Sequence, residues 1–433
     1  MTAVDQKKLI PGESLVLLAL AGIQFTFVLG FMMMLPLGPQ FIRDLHLSTK
    51  EFSALLAAYT FIAAVSNLLA ATYIDRFDRR TLILVLYGLF LVATLACGLA
   101  PDYPSLLLAR AFAGATGGLL GAMVQLFVAE LIPYERRGRA LGIIMSAISI
   151  SAVVGIPLAL FLTDHSPTLS WRAPFFFLAG LIVVVLLACY ALLPSLSGHV
   201  NRVKGRDVFM QVFAVAKDRN HVKAFAFILM MMMASFSVTP YVPLYLTLNL
   251  GQPESFITIV YLCGGAATLC TAHVFGRMAD KYGKLRIFRA IALLSFIPVL
   301  ITTHLVPVPW WLILVNSTLF FIFVSGRMGP GMALISAVPT ERVRGTFMSL
   351  VFTVQMLSFS LASLSAGLII ARTPDGHLKY FNWIGYLAVI CGIASILIAS
   401  RLKTACALPA AVLALDGADV NAPAMSEAKG RPE

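Results

Sequence analysis

The sequence predicts an all-α integral membrane protein: twelve transmembrane helices in two pseudo-symmetric six-helix bundles. Three observations predict it. Hydrophobic residues make up 59% of the 433 and charged residues only 12%, with mean hydropathy +0.89, whereas a soluble protein carries about 25% charged residues. A soluble fold hides one such helix in its core, but not most of its length. Twelve apolar runs each approach the roughly 20 residues that cross a bilayer. Finally, two short basic segments sit at matching places. Asp75-Arg76-Phe77-Asp78-Arg79-Arg80 follows the second run, and Gly276-Arg277-Met278-Ala279-Asp280-Lys281-Tyr282-Gly283-Lys284 follows the eighth.

Residues 1–13 are polar, carry Lys7 and Lys8, and read as a cytoplasmic N-terminal segment. The apolar runs fall at about 14–37, 52–73, 81–99, 104–129, 139–162, 172–193, 222–246, 255–275, 286–304, 309–332, 345–370 and 381–400. The first has no small-residue cleavage pattern and reads as a span rather than a removed leader. Runs six and seven are separated by the longest internal connection, 194–221, which holds Arg202, Lys204, Arg206, Asp207, Lys217, Asp218 and Arg219. It reads as a cytoplasmic linker between a first bundle at 14–193 and a second at 222–403. Residues 404–433 hold Ala, Pro and charges with no sustained period, as in a disordered tail. An amphipathic helix near 407–416 is interrupted by Pro409.

Charge gives the sidedness. Of 32 Lys and Arg, Arg43, Lys50, Arg172, Arg372 and Lys379 lie on one side. Arg110 and Arg327 lie inside spans, and the other 25 flank the remaining side. The positive-inside rule then puts both termini in the cytoplasm. A net charge of +12 suggests nucleic acid on a soluble protein, but in short loops between spans it reports orientation instead. Cys97, Cys189, Cys263, Cys270 and Cys391 lie in apolar runs, Cys406 lies beyond them, and none forms a CxxC pair. Neither a metal site nor a cofactor is expected. No HExxH, GxSxG in suitable context or Walker-type phosphate loop occurs, so an enzyme or an ATP-driven pump is not expected.

In the second basic segment Gly276 is expected to permit close helix approach and Gly283 a tight turn. Asp280 is expected to accept from helix-terminal N–H groups, where its charge is favourable. The first segment keeps Asp75, Arg76, Arg79 and Arg80 but has Ala71 and Asp78 in place of the two glycines. This constellation resembles the major facilitator superfamily, whose signature Gly-x-x-x-Asp-Arg/Lys-x-Gly-Arg-Arg/Lys lies between spans two and three and recurs, degenerate, between spans eight and nine. Pro133 through Ala140 and Pro339 through Thr346 resemble its loops between spans four and five and spans ten and eleven. The resemblance covers residues 14–400 and implies an inverted-repeat fold around a central cavity near mid-membrane. It also implies a cytoplasmic latch in which Asp75 faces the eleventh span near Gly345, completed by Glu130, Arg139 and Arg79. Gly142 and Ala152 through Ala159 resemble the proline-containing fifth span of efflux members. Gly155 and Pro157 equally suit a simple kink. The chain looks most like the arabinose-efflux-permease branch of the drug:proton antiporters.

Arg110 is the most informative single residue, because a charge inside a span is costly unless paired or wetted. Arg110-Ala111-Phe112-Ala113-Gly114 resembles the family's fourth-span arginine motif, tied to proton coupling or to packing against the first span. Near a membrane surface it would merely snorkel. Arg327, among Gly326, Gly329 and Gly331 toward the cytoplasmic half, reads equally as a gate or structural residue or as a substrate contact. Gln24, Gln125 and Gln355 form the best hydrogen-bonding set for a cavity, with Tyr59, Tyr241 and Asn316 as further candidates. Met32–Met34 and Met230–Met233, together with Phe31, Phe225, Phe227, Phe236, Phe352 and Phe359, suggest adaptable apolar walls. No Asp or Glu lies deep in the spans expected to line the cavity, so coupling falls to Glu130, Asp75, Arg110, His273 or the substrate itself.

The expected function is alternating-access transport, as proton-coupled efflux of small amphipathic or drug-like molecules by a monomer in contact with membrane lipids. The alternatives are an importer or facilitator of an organic anion or other small solute, and a non-transporting sensor or lipid-binding protein.

Overall fold

In the computed structural model, residues 13–70, 74, 77–166, 168–196, 212–340 and 343–403 are described, apart from the side chains of 129, 134, 135, 138, 139, 148, 149 and 152. The N-terminal segment, most of the linker and the tail lie outside them. The first half comprises α1 Glu13–Met32, α2 Gly38–Asp44, α3 Thr49–Ala70, α4 Arg79–Leu99, α5 Tyr103–Leu131, α6 Tyr134–Ile150, α7 Ile156–Asp164 and α8 Ala173–Leu192. The second comprises α9 Arg219–Phe236, α10 Val242–Leu248, α11 Glu254–Tyr282, α12 Lys284–Thr303, α13 Trp310–Gly326, α14 Met328–Ser336, α15 Arg344–Ile369 and α16 Phe381–Ala399. A two-residue antiparallel pairing, Ala371–Arg372 with Leu378–Lys379, is the one strand contact described.

Among the described residues, eleven helical stretches are long and apolar enough to cross a membrane. The expected fifth span is divided by a π-helical turn, Ser151–Gly155, between α6 and α7. Pro157 brings no N–H and its ring crowds the preceding turn, so the ladder widens by one residue. Ser151 Oγ donates to the carbonyls of Ala147 at 2.9 Å and Phe25 at 3.0 Å, tying the turn to α1.

The first, seventh and tenth runs are also not single helices. Pro36 and Pro39 follow the end of α1, as Pro240 and Pro243 follow the end of α9, and each pair leads into a seven-residue helix, α2 or α10. In this register Met33 and Met34 lie in the break while Met230–Met233 lie within α9, so the two methionine tracts do not occupy equivalent positions. The tenth run breaks at Arg327, between α13 and α14.

The same helix pairings recur in both halves. In the first, α3 and α4 pack on α5, α4 on α8, and α1 on α6 and α8. In the second, α11 and α12 pack on α13, α12 on α16, and α9 on α15 and α16. Across the halves, α3 packs along α15, α11 on α7 and the π turn, and α2 on α10. Large aliphatic residues such as Leu18, Leu99, Leu108, Val184, Leu187, Leu368 and Ile390 remain exposed, as suits a hydrocarbon surround.

Candidate functional site: buried arginines and the seam between halves

The two basic segments solve one turn in two ways. Gly283 takes φ +95 between α11 and α12, as expected of a glycine turn. At the matching place Asp78 keeps φ −58 and caps α4, accepting from Thr81 N at 2.9 Å. Asp78 also accepts from Ser195 Oγ at 2.8 Å and Leu196 N at 2.7 Å, binding the start of α4 to the end of α8. Burial works against its charge, but the bonds from Thr81, Ser195 and Leu196 outweigh it and hold the carboxyl below its ordinary range. Asp78→Ala is therefore expected to cost about 1 kcal/mol in thermal unfolding at pH 7. Because the folded pKa is lowered, this stabilisation is complete above the unfolded value of about 4 and fades as pH falls through the lower folded one. The gap between wild type and variant is expected to narrow as pH falls below the ordinary carboxylate range; a gap that does not change with pH refutes the cap.

Two expectations for the second segment fail. A Cβ at Gly276 would meet open space, so among the described residues no helix packs closely on it. Asp280 is exposed in the last turn of α11, next to carbonyls rather than free N–H groups, and α12 has no side-chain cap. Asp75 and Arg76 lie outside the described residues, as does the side chain of Arg139, and the space around Gly345 is open. Of the expected latch, Arg79 and Glu130 do meet. The buried Arg79 donates through Nε to Glu130 Oε1 at 2.8 Å and through Nη1 to Ile74 O at 3.0 Å.

Arg110 does not snorkel. It is 2% exposed, with Nη1 donating to Gly30 O at 3.0 Å and its guanidinium 4.4 Å from the Tyr59 ring centroid. Gly30 lies in the last turn of α1, where helix carbonyls lose their amide partners and the macrodipole is negative. The break after Met32 thus creates the half-charge that Arg110 meets, and the π face of Tyr59 adds to it. Among the described residues Nε and Nη2 have no oxygen acceptor; the Cys97 thiol lies beside the guanidinium, and the gap there, lined also by Met33, Phe90, Thr94 and Phe175, is too narrow for water. Gly114 allows this closeness, since a Cβ there would strike the Tyr59 carbonyl.

Arg327 repeats the device in the second half. It is 1% exposed and donates to Ser235 Oγ at 2.8 Å, one residue before α9 ends, and to Ser295 Oγ at 3.3 Å. It therefore joins helices of the second half only and is not a latch between halves.

The halves are clamped at the end opposite the basic loops. Arg43 of α2 pairs with Glu254 of α11, and Gln40 Nε2 donates to Glu254 Oε2 at 2.9 Å. Thr49 Oγ1 donates to Ile370 O at 3.0 Å. The Tyr241 hydroxyl bonds Ser53 Oγ and donates to Ser363 O at 3.0 Å, while Ser363 Oγ donates to Ser53 O at 3.1 Å. Tyr241, expected in a cavity, thus joins the two halves. At the basic end α3 and α15 still touch, through Asn67 Nδ2 donating to Thr353 Oγ1 at 2.9 Å. Elsewhere there, α11 is exposed from Val274 to Tyr282 except at Phe275 and Ala279.

The three glutamines are not joined by hydrogen bonds among the described residues. Gln24 is buried and its Oε1 lacks a partner, Gln355 Nε2 donates to the Met332 sulfur at 3.3 Å, and Gln125 is exposed. Asn316 donates to Thr302 Oγ1 at 2.8 Å, within the second half. Phe225 and Phe227 pack on Phe347 and Phe288, also within that half, rather than on a wall between halves. Sequence reasoning missed Asp78, Arg43, Ser53 and Glu254. Only Asp78 had a local signal, an Asp with Thr three residues on before an apolar run.

Comparison with known proteins places this architecture. The sequence profile of the Major Facilitator Superfamily matches residues 20–363 and again 224–413. "Multidrug resistance protein 2" of Bacillus subtilis (strain 168) is 23% identical over 336 residues, 73% of this chain and 80% of that protein. "Multidrug resistance protein 1" of the same organism is 25% identical over 277 residues, 63% and 69% of the two chains. A bacterial homolog of the human lysosomal transporter Spinster, solved in an inward-facing and occupied conformation, superposes with TM-score 0.73 at 14% identity, covering 91% of this chain and 98% of that one. A D-xylose–proton symporter gives TM-score 0.69 at 16% identity, covering 90% and 97%. At such identities the structural likeness establishes the fold alone, while the profile covers well over half of the chain. Membrane-length helices, duplicated pairings and the profile match converge: the chain belongs to the major facilitator superfamily and is an integral membrane secondary transporter of a small molecule, not an enzyme.

Proposed function

We infer that this transporter exports small amphipathic, drug-like molecules in exchange for protons. One observation carries the alternating-access part: the halves are pinned by Arg43–Glu254 and Ser53–Tyr241–Ser363 at one end, while α11 is exposed at the other. The basic loops assign that exposed end to the cytoplasm, so the state is inward-facing, with both termini inside a bacterial cytoplasmic membrane. On this reading Tyr134–Asp164 crosses as one kinked span, giving twelve in two halves, 14–193 and 222–403. The protein acts as a monomer among lipids. The names of the two Bacillus subtilis relatives support a drug-like substrate. Import of an organic anion drawn by Arg110 is the weaker reading, because the guanidinium is buried behind Tyr59.

Reconstitution in proteoliposomes tests this. A panel of amphipathic compounds, with and without an imposed pH gradient, is expected to show transport that follows the gradient. Transport unchanged after the gradient collapses refutes antiport, and no movement of any compound refutes drug export.

A further inference from the structure

Where the halves meet, aromatic rings from four helices form one continuous array. Phe31 of α1 meets Phe359 of α15 edge-on at 4.8 Å, and Phe359 meets Phe236 of α9 at 4.5 Å. Phe31 also stacks on Tyr59 of α3 at 5.7 Å. Phe31 and Phe236 belong to the last turns of the two broken helices and are only half-buried. Contacts between Phe31 of one half and Phe359 of the other part whenever the halves rock, so these ring faces belong to the surface that the transport cycle uncovers.

Polar groups flank the array toward the basic end. Gln24 lies two turns from Phe31 on the same face of α1, and Gln355 one turn from Phe359 on α15. The Gln24 carbonyl oxygen, on a side chain 4% exposed, has no partner among the described residues. The Gln355 amide is held by the Met332 sulfur, a weak acceptor readily exchanged for a better one.

Charge narrows the ligand. No Asp or Glu lies within 11 residues of Phe31, Phe236 or Phe359 in the sequence. The charge joined to the array is positive: Arg110 sits 4.4 Å from the Tyr59 ring and Tyr59 5.7 Å from Phe31, so Arg110 is at most about 10 Å from Phe31. At that range, with the effective dielectric of a protein site, a monovalent cation is disfavoured on the order of tenfold against a neutral molecule, while an anion's Coulombic gain is offset by the cost of stripping its water among apolar rings.

We propose that the Phe31–Phe359–Phe236 array is the substrate subsite for a flat, uncharged aromatic ring, with Gln24 and Gln355 taking its polar substituents. This rests on the transporter reading above. Edge and face contacts to three rings add specificity for an aromatic ligand beyond its buried area.

The test is equilibrium binding to the purified full-length protein, which does not depend on transport. The probes are naphthalenes carrying a methoxy, a trimethylammonium or a sulfonate group, and the methoxy-substituted decalin of matched size. The neutral naphthalene is expected to bind about tenfold more tightly than the cationic one and also more tightly than the decalin. Phe31→Leu, Phe236→Leu and Phe359→Leu keep the site apolar, and each is expected to weaken the neutral naphthalene about two- to tenfold while leaving the decalin unchanged. Equal losses for both rings overturn the proposal, as does preference for the cationic or the anionic probe. If the proteoliposomes export other compounds while the neutral naphthalene fails to bind, the subsite falls and the transport reading stands. If it binds but nothing is exported, the transport reading falls and a binding site remains.

Discussion

Arg110→Met is expected to leave the protein folded and to cut transport at least about tenfold. The substitution removes the donor that meets Gly30 O at the end of α1 and the cation on the Tyr59 ring. An orphaned buried carbonyl costs about 1–3 kcal/mol. Against this, a buried cation without a carboxylate partner carries a desolvation penalty of its own, and its removal offsets much of that cost. Thermal stability therefore changes little. Function depends on more, because Gly30 and Tyr59 fix the place where α1 stops and the pose of Phe31, which touches both Tyr59 and Phe359 across the seam. Arg110→Lys keeps the charge at the helix end but loses the planar contact with Tyr59, and an intermediate rate is expected. Thermal melts with proteoliposome flux check both variants. Wild-type flux in Arg110→Met would show that the arginine serves packing alone.

Gly367→Leu is expected to force open the clamped end. A Cβ at Gly367 already runs into Ser53 Oγ and Cβ, with the Thr49 carbonyl close behind. The larger side chain drives α3 from α15 and breaks the Ser53–Tyr241 and Thr49–Ile370 bonds. Overpacking costs about 1–3 kcal/mol and each lost hydrogen bond about 1 kcal/mol. A bias of about 3 kcal/mol moves the equilibrium between states roughly a hundredfold. Since these contacts join the halves rather than build either one, the protein still folds. Labelling of Ser363→Cys by a membrane-impermeant maleimide is expected to rise and flux to fall. Unchanged labelling and flux would remove this end as a gate.

Much of the architecture was legible because membrane spans announce themselves locally. Length and hydropathy found the runs, Pro157 marked a kink in the fifth, and a lone Arg110 inside an apolar run signalled a special environment, whereas the expected first and seventh runs passed over the breaks at Pro36 and Pro240. The site was less legible. Tyr241 and Gln24 look alike as polar residues within spans, yet one pins the two halves together and the other has an unpartnered carbonyl oxygen. Asp280 matched a motif but faces the wrong end of a helix, whereas Asp78, a departure from that motif, caps α4 and fastens α8 to it.

The sequence by itself determined the membrane class, the duplication and the asymmetric placement of charge, since each depends on composition and spacing along the chain. Only the tertiary structure decided what Arg110 touches, which end of the seam is clamped and which aromatic rings meet. The reason is physical: a span is selected by its own transfer into hydrocarbon, while the partner of a buried side chain is selected by helices far away in sequence. Arg110 and Gly30 are 80 residues apart, and Ser53 and Tyr241 are 188 apart.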